Sequence, residues 1–478
     1  MSNSGPGISF VGHRSYRPSV IELGIVTAAV SIAVCAAFPG AVLAVVLGII
    51  VLVLSALRVD ALLYLAIFLL PIAPTLPSEM MILRDVSALL HLAMFAGVWL
   101  GYMIRGESVR TWLLGARLNY LIAAYVGIVT LSVLIPGHTT ITAEKSLFRW
   151  VSYFCLYLAV TGWVKSKQQI KNILGILGAS TLLVLVFGLH QALINGYGDL
   201  YFWLYPKQED TLQPWVGRVP SFLGHFNLLA GYLNLVLPLA IGFSVVLADR
   251  MWKYSARLFL MVGIIVLILT QSRGGLIAFC GVMMLAIWYF GPTVKARLRL
   301  SVLLLVCVGL AFLSLTAYSE RFSEVDDWTY FQRLAVYGSA WNMFTSSPIL
   351  GVGFSNFREN YDPAMIGAEI GALDAHNLYL KSLAETGLLG AVTYFAMFGL
   401  IFRTAQLRFR SRRWLLDGIL SFAVMGGLCS VLIHGFVDYV FDVSPQVAAL
   451  FWVLIGVFMA NENLQHFVPA NLQGKPTG

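Results

Sequence analysis

The feature that most constrains this chain is a succession of apolar segments, each about as long as a membrane-spanning helix. A helix crosses the hydrocarbon core of a bilayer in about 20 residues. Of the 478 residues, 59% are hydrophobic and 11% are charged, whereas a soluble domain carries about 25% charged residues. The sequence therefore predicts an all-α polytopic transmembrane helical bundle of 12–14 spans, and it excludes a soluble multidomain enzyme.

The basic residues predict the orientation of the bundle. If the N-terminus is cytoplasmic, about two thirds of the 31 lysine and arginine residues fall on the inner side, including the cluster at 403–413. This is the bias that the positive-inside rule describes. The net charge of +8 is then a consequence of topology and does not indicate a nucleic-acid partner. Both termini are predicted to be cytoplasmic.

Two long hydrophilic loops, 194–222 and 318–385, fall on the outer side in this assignment. The larger one is predicted to be partly helical, with an amphipathic helix on the membrane surface over 328–344 and a second helix over 375–386. We therefore divide the chain into N-terminal spans (1–193), spans with the first outer loop (194–317), the large outer loop (318–385) and C-terminal spans with a cytoplasmic tail (386–478). Because the inner loops are short, any chemistry is expected at the outer face.

The five cysteines lie inside apolar segments, with neither a CxxC pair nor a Cys/His cluster. We interpret them as small buried apolar residues, so the sequence predicts neither a disulfide framework nor a zinc site.

Two arginines at the outer ends of spans are candidate anion ligands. Arg273 lies in the sequence QSRGG between two closely spaced spans, and Arg218 lies in VGRVPSF at the entry to another. An arginine at a membrane boundary often only extends its side chain to the lipid headgroups. Glycines next to Arg273, however, allow close backbone approach and favour a groove. A guanidinium can hold a phosphate with two parallel hydrogen bonds.

His376 is the candidate base. A lone histidine is more often structural, but this one stands in a polar cluster, DAHNLYLKSLAE, at the end of the large outer loop. Histidine is the usual proton acceptor near neutral pH. In the same cluster, Lys381 and Glu385 are four residues apart and are interpreted as an ion pair on a helix surface. His434 and Asp438 have the same spacing near the end of a span and could pair.

Four blocks in this region resemble the O-antigen ligase and polymerase superfamily. The strongest is H-N-x9-G-x-x-G, here His376-Asn377 through Gly387 and Gly390. The others are the R…W…P-x-x-G-x-G-x-x-N-F segment, SRGG and R-x-x-x-F-x-x-x-x-N-x-x-A-G. Their matching positions are Arg333, Trp341, Pro348, Gly351, Gly353, Asn356 and Phe357, then Arg273, then Arg218, Asn227 and Gly231. The resemblance covers roughly residues 215–440.

The resemblance implies a membrane glycosyltransferase that moves a polyprenyl-pyrophosphate-linked glycan onto an acceptor hydroxyl at the periplasmic face of the bacterial inner membrane. It implies no cofactor and no metal. The acceptor is lipid A-core in a ligase and a growing glycan in a polymerase.

For individual residues, the resemblance implies that His376 is the base and that Arg218 and Arg273 bind the pyrophosphate. Asn377 and Arg333 are further candidates for binding the pyrophosphate or the glycan. Asp374, Glu385, His434 and Asp438 are candidates for supporting these groups. Many family members have a histidine at the position of Asp374, so no family role carries over to it.

Two alternatives stay open. A polymerase would use the same site with another acceptor, and the sequence does not name the acceptor. A solute transporter, such as a bicarbonate-uptake protein of the same superfamily, should instead carry charged residues near the middle of its spans. Here the centres of the spans are almost free of charge, which favours the enzyme.

Overall fold

The computed structural model describes residues 63–71, 86–104, 106–114, 116–135, 137–194, 217–318, 321–361, 374–412 and 415–466. The first two apolar segments, 20–38 and 40–57, which we predict to be spans, lie outside these residues, as does most of the loop 194–222. Within the described ranges the regular secondary structure is helical, which confirms the predicted all-α class.

The long helices follow the predicted apolar segments closely. We number them α1 (Val86–Ile104), α2 (Arg117–Leu134), α3 (Ile141–Trp163), α4 (Lys167–Leu193), α5 (Phe226–Val246), α6 (Arg250–Leu269), α7 (Arg273–Phe290), α8 (Val294–Tyr318), α9 (Arg321–Ser346), α10 (Leu378–Arg412), α11 (Leu416–His434) and α12 (Pro445–His466). Among the residues searched, eight helices are long and apolar enough to cross a membrane: α2, α4, α5, α6, α7, α10, α11 and α12. The chain is therefore a multi-pass helical membrane protein.

The centre of the bundle is formed by α5 and α11, which pack on each other, on α7 and, through α5, on α6. Small residues allow this close packing. A Cβ on Gly242 would lie 2.9 Å from Ile419, and one on Gly426 would lie 3.0 Å from Pro238. Close backbone approach of this kind stabilises helix pairs in membranes, where dispersion contacts replace the hydrophobic effect.

The two ends of the bundle differ in chemistry. At one end α4 and α11 begin and α10 and α12 end; there Lys167 binds Asp417 at 2.6 Å, and Arg408 pairs with Glu462. At the opposite end α6 and α11 finish and α5, α7, α10 and α12 begin. Arg218, Arg273 and His376, which precede or begin α5, α7 and α10, lie at this second end. We call it the site end.

The region predicted as a large outer loop is mostly helical where it is described. Helix α9 covers the predicted amphipathic helix over 328–344. Its buried side, Val336, Ala340 and Met343, packs on Phe357, Ala375 and Ala384. Its opposite side leaves Leu334 and Trp341 about half exposed. Helix α9 therefore packs on the start of α10, and its exposed apolar residues lie on the side that faces away from α10.

Helix α10 joins the predicted helix over 375–386 to the apolar segment 386–402, which we predict to be the first of the C-terminal spans, with a kink at Gly387 (φ 62°). The kink frees backbone groups, and the segment 348–357 binds them. Val352 N–H donates to the Ala384 carbonyl at 2.9 Å, and Leu388 N–H donates to the Pro348 carbonyl at 2.8 Å. The kink thus fixes the loop against α10 through main-chain hydrogen bonds.

Candidate active site

The candidate site lies at the site end, where four short segments meet. These are residues 217–225 before α5, 270–272 before α7, 374–377 before α10 and 435–439 after α11. Each segment either begins or ends a membrane helix, so the packing of the bundle fixes its position. The predicted base, His376, and Arg218 belong to these segments, and Arg273 follows segment 270–272 as the first residue of α7.

A chain of polar contacts links His376 to the other three segments. His376 Nδ1 lies 3.6 Å from Asp438 Oδ1, an ion-pair distance. The other carboxylate oxygen of Asp438 accepts a hydrogen bond from Asn227 Nδ2 at 2.7 Å. Asn227 in turn accepts from the hydroxyl of Ser272 at 2.7 Å. One network therefore joins the starts of α5, α7 and α10 to the end of α11.

Asp438 is held in its charged form. Burial alone would raise the pKa of this carboxyl, but contact with His376, the nearby His434 and the backbone N–H of Tyr439 lower it to about 2. That N–H donates to Asp438 Oδ1 at 2.8 Å. A permanent negative charge beside Nδ1 of His376 orients the ring and stabilises the imidazolium that forms when Nε2 accepts a proton.

His376 occupies a strained turn that is anchored on its C-terminal side. Its φ is 47°, the left-handed region that a residue with a side chain seldom adopts. Asn377 follows as the N-cap of α10: its side-chain oxygen accepts from the N–H groups of Tyr379 and Leu380, each at 3.0 Å. Its amide group donates to the Phe436 carbonyl at 3.1 Å. Strain held in this way is typical of functional residues.

The contacts of Asn377 give it an anchoring place in the structure. Its amide is used by the cap and by the Phe436 carbonyl. Its contact with substrate stays a prediction.

Arg218 is fixed against the turn between α6 and α7. Its Nε donates to the Thr270 carbonyl at 3.1 Å and its Nη2 to the Gln271 carbonyl at 3.0 Å. The guanidinium also lies over the ring of Phe226. Arg273 begins α7 two residues after Gln271, so Arg218 binds the same turn that Arg273 follows. Their predicted use as a pair fits this placement.

The glycines that follow Arg273 bring α7 close to its neighbours, as predicted. A Cβ on Gly274 would lie 2.5 Å from a methyl of Val437 and 2.7 Å from the ring of His434. A Cβ on Gly275 would lie 2.5 Å from Ala230. The absence of side chains here lets Arg273 start its helix against the turn that carries Asp438.

His434 is buried under α7, with 1% of its surface exposed. Its carbonyl accepts from the N–H of Asp438 at 3.0 Å, while its ring influences that carboxylate through charge. The hydrogen bond between these two residues is therefore a backbone one, and the predicted pairing of their side chains stays a prediction. This geometry suits a support for Asp438.

Sequence reasoning missed His225 as a member of the site. It is the N-cap of α5, accepting from Asn227 N–H at 3.2 Å. Burial lowers its pKa to about 4, with Asp438 opposing the shift and Arg218 and His376 adding to it. It is therefore uncharged at neutral pH. Its electrostatic interactions with Arg218, His376 and Asp438 show that these three residues lie near it. Its position seven residues after Arg218 was the only available signal.

A second cluster lies beside the His376 turn. Lys381 pairs with Asp374 and lies 3.6 Å from Glu385. The interpretation of Lys381 and Glu385 as a helix-surface ion pair is wrong on one point: the pair exists, but the two residues are only 8% and 2% exposed. They are buried because segment 351–357 and Tyr439 cover this face of α10.

Arg333, the remaining predicted ligand, lies on the exposed surface of α9. Tyr337, one turn further along the helix, donates to the Phe436 carbonyl at 3.4 Å. Arg333 thus lies on a helix that contacts the site, one helical turn before the Tyr337–Phe436 hydrogen bond. Among the described residues, no group of three or more histidine, cysteine, aspartate or glutamate side chains is arranged to hold a metal ion.

Comparison with known proteins gives one result for this region. The family model described as O-antigen ligase matches residues 258–395, from α6 into α10. The matched range contains Arg273, Arg333 and His376, whereas Arg218 and Asp438 lie outside it. A search of curated proteins found no match.

Proposed function

We propose that the chain, whose residues 258–395 match the family model described as O-antigen ligase, transfers a polyprenyl-pyrophosphate-linked glycan to an acceptor hydroxyl. The proposed acceptor is lipid A-core, as in a ligase. The single observation that carries the proposal is the His376–Asp438 pair beside Arg218 and Arg273 at one end of a membrane bundle.

The base of the proposed reaction is Nε2 of His376. Asp438 faces Nδ1, so the second ring nitrogen is left to accept the proton of the acceptor hydroxyl. The hydroxyl oxygen attacks the anomeric carbon of the glycan while the bond from that carbon to the pyrophosphate breaks. A single in-line displacement of this kind inverts the anomeric centre.

The leaving group is the lipid pyrophosphate, which departs with additional negative charge. Arg218 and Arg273 are proposed to bind it, since a preorganised cation is most effective where charge develops in the transition state. The hydrogen bonds of Arg218 to the Thr270 and Gln271 carbonyls hold its guanidinium in place before substrate binds. Two arginines supply the positive charge, so we assign no metal or cofactor to the reaction.

The site end is proposed to face the periplasm and the opposite end the cytoplasm of a bacterial inner membrane. The basic residues of 165–171 and of 403–412 lie at the opposite end, where the positive-inside rule puts the cytoplasm. In this orientation both termini are cytoplasmic. Residues 318–385 form the periplasmic part, between spans on either side.

The proposal is tested with purified protein and polyprenyl-pyrophosphate glycan in detergent, with and without lipid A-core, in the presence of a chelator. Product that depends on lipid A-core supports a ligase, and a ladder of longer glycans without it indicates a polymerase using the same site. An intact lipid donor under both conditions would contradict transfer. Liposome flux of bicarbonate in the same preparation would then support the transporter alternative.

A further inference from the structure

Lys381 is a buried lysine whose ammonium group lies between two carboxylates. Its side chain is 10% exposed, and those of Asp374 and Glu385 are 12% and 3% exposed. The ammonium pairs with Asp374 and lies 3.6 Å from Glu385 Oε1. Burying charges is costly unless they are paired, so this arrangement calls for an explanation in addition to the packing of α10.

The contacts of Lys381 reach the chain neighbours of both members of the proposed catalytic pair. Asp374 is two residues before His376 and also accepts the N–H of Ala375 at 2.8 Å. The ammonium lies 4.6 Å from the ring centre of Tyr439, the residue directly after Asp438. That ring and the His376 ring pack in a T-shaped arrangement, with ring centres 5.6 Å apart. Lys381 therefore contacts Asp374, two residues before the histidine, and Tyr439, the residue after the carboxylate.

Glu385 extends the same contact to the loop before α10. Its Oε1 accepts the N–H of Phe357 at 3.3 Å. A shift of Lys381 would therefore leave two carboxylates facing each other without a cation, at a point where three segments meet. The His376 turn, with its positive φ, has the buried Asp374–Lys381 contact on its N-terminal side and the Asn377 cap on its C-terminal side.

We propose that Lys381 is a positioning residue that fixes the distance and orientation between His376 and Asp438 through Asp374 and Tyr439. This inference rests on the proposed function, since it assigns Lys381 to the transfer reaction without placing it in contact with substrate. It predicts that loss of the lysine charge loosens both turns together.

The first test is kinetic and uses Lys381→Met, Asp374→Asn, the double variant and Lys145→Met. Lys145 is an exposed lysine on α3 and serves as the matched control. We expect Lys381→Met to lower kcat about 10- to 100-fold, the range found for groups that orient a metal-bound histidine, with KM for the lipid donor nearly unchanged. The double variant should be no worse than Lys381→Met, because residues that act as one unit are not additive.

The second test is hydrogen exchange followed by mass spectrometry, which does not depend on activity. In Lys381→Met, exchange should accelerate in 374–380 and 435–440, while α5 and α12 keep wild-type protection. If Lys381→Met does not fold, Asp374→Asn should show the same local pattern.

Unchanged exchange in both turns, or additive kinetic losses, would overturn the inference. A wild-type protein without transferase activity would contradict the proposed function instead, and the exchange experiment would still decide the role of Lys381 in holding the two turns.

Discussion

At the scale of single residues, Asp438 connects the histidine of the site to the rest of the bundle. Its two carboxylate oxygens face His376 and Asn227, and its charge persists because its pKa is lowered to about 2. The same carboxylate thus contributes to the electrostatics of the site and to the stability of the fold.

The stability contribution of Asp438 should depend on pH in a defined way. Its pKa in the folded protein, about 2, lies below its ordinary value of 3.8. The stabilisation is therefore complete above about pH 4 and is lost as the pH falls through 2. This shift corresponds to roughly 2 kcal/mol. The difference in thermal midpoint between wild type and Asp438→Asn should be largest above pH 5 and shrink between pH 4 and pH 2. A difference that stays constant over that range would contradict the assignment.

The two arginines should not tolerate lysine. Arg218 uses two different nitrogens to bind two carbonyls, and a lysine has one nitrogen on a flexible stem. Arg218→Lys and Arg273→Lys should each lower kcat/KM by about tenfold or more, because the planar guanidinium that holds a phosphate is lost. The matched control is Arg250→Lys, an exposed arginine at the opposite end of the bundle. Wild-type rates in both site variants would remove the pyrophosphate assignment.

Much of the site follows from local sequence, and some of it does not. His376, Arg218 and Arg273 stand out because each is a polar residue at the end of an apolar segment. The link from Asp438 through Asn227 to Ser272 joins positions up to 211 residues apart, and only the packing of α5, α7 and α11 brings them together. The burial of Lys381 was missed for the same reason, since the chain that covers it comes from other segments.

At the scale of helices, the segments were predicted well because their apolar lengths match the bilayer. The sequence predicted two helical segments that meet at residue 386, but it did not predict that they form one kinked helix. The kink depends on Gly387, which has φ 62° and lies against the Ile349 backbone. Glycine is favoured at position 387 of the motif because of this backbone conformation, which lets the loop 348–357 form hydrogen bonds with the open turn of α10.

The helix contact behind Arg273 gives a prediction at this scale. A Cβ on Gly274 would overlap Val437 and the His434 ring, so Gly274→Ala should push α7 away from α11. We expect a thermal midpoint several degrees lower, since overpacking costs about 1–3 kcal/mol, together with reduced transfer. Gly178→Ala, within α4, has no atom within 4 Å of the added methyl group and serves as the control. Equal midpoints for the two variants would contradict the described packing.

At the scale of the whole molecule, the two ends of the bundle differ in charge, and this difference predicts which end faces the cytoplasm. The ion pairs of Lys167 and Arg408 and the described basic residues of 403–412 are at one end, and His376 is at the other. Single cysteines introduced at 410 and at 376 should therefore label from opposite sides of the membrane. We expect position 376 to react with an impermeant thiol reagent in whole spheroplasts and position 410 to react only after lysis. Labelling of both positions from outside would contradict the proposed orientation.

The central claim is that the His376–Asp438 pair catalyses glycan transfer, and the most direct measurement is the single-turnover rate of transfer from polyprenyl-pyrophosphate glycan by purified protein. A general base typically contributes on the order of 10²–10⁴ in rate. His376→Ala, shown by thermal unfolding to be folded, should be slower by about that factor, whereas Lys145→Met should match wild type. A folded His376→Ala protein that transfers glycan within a few-fold of the wild-type rate would contradict the claim.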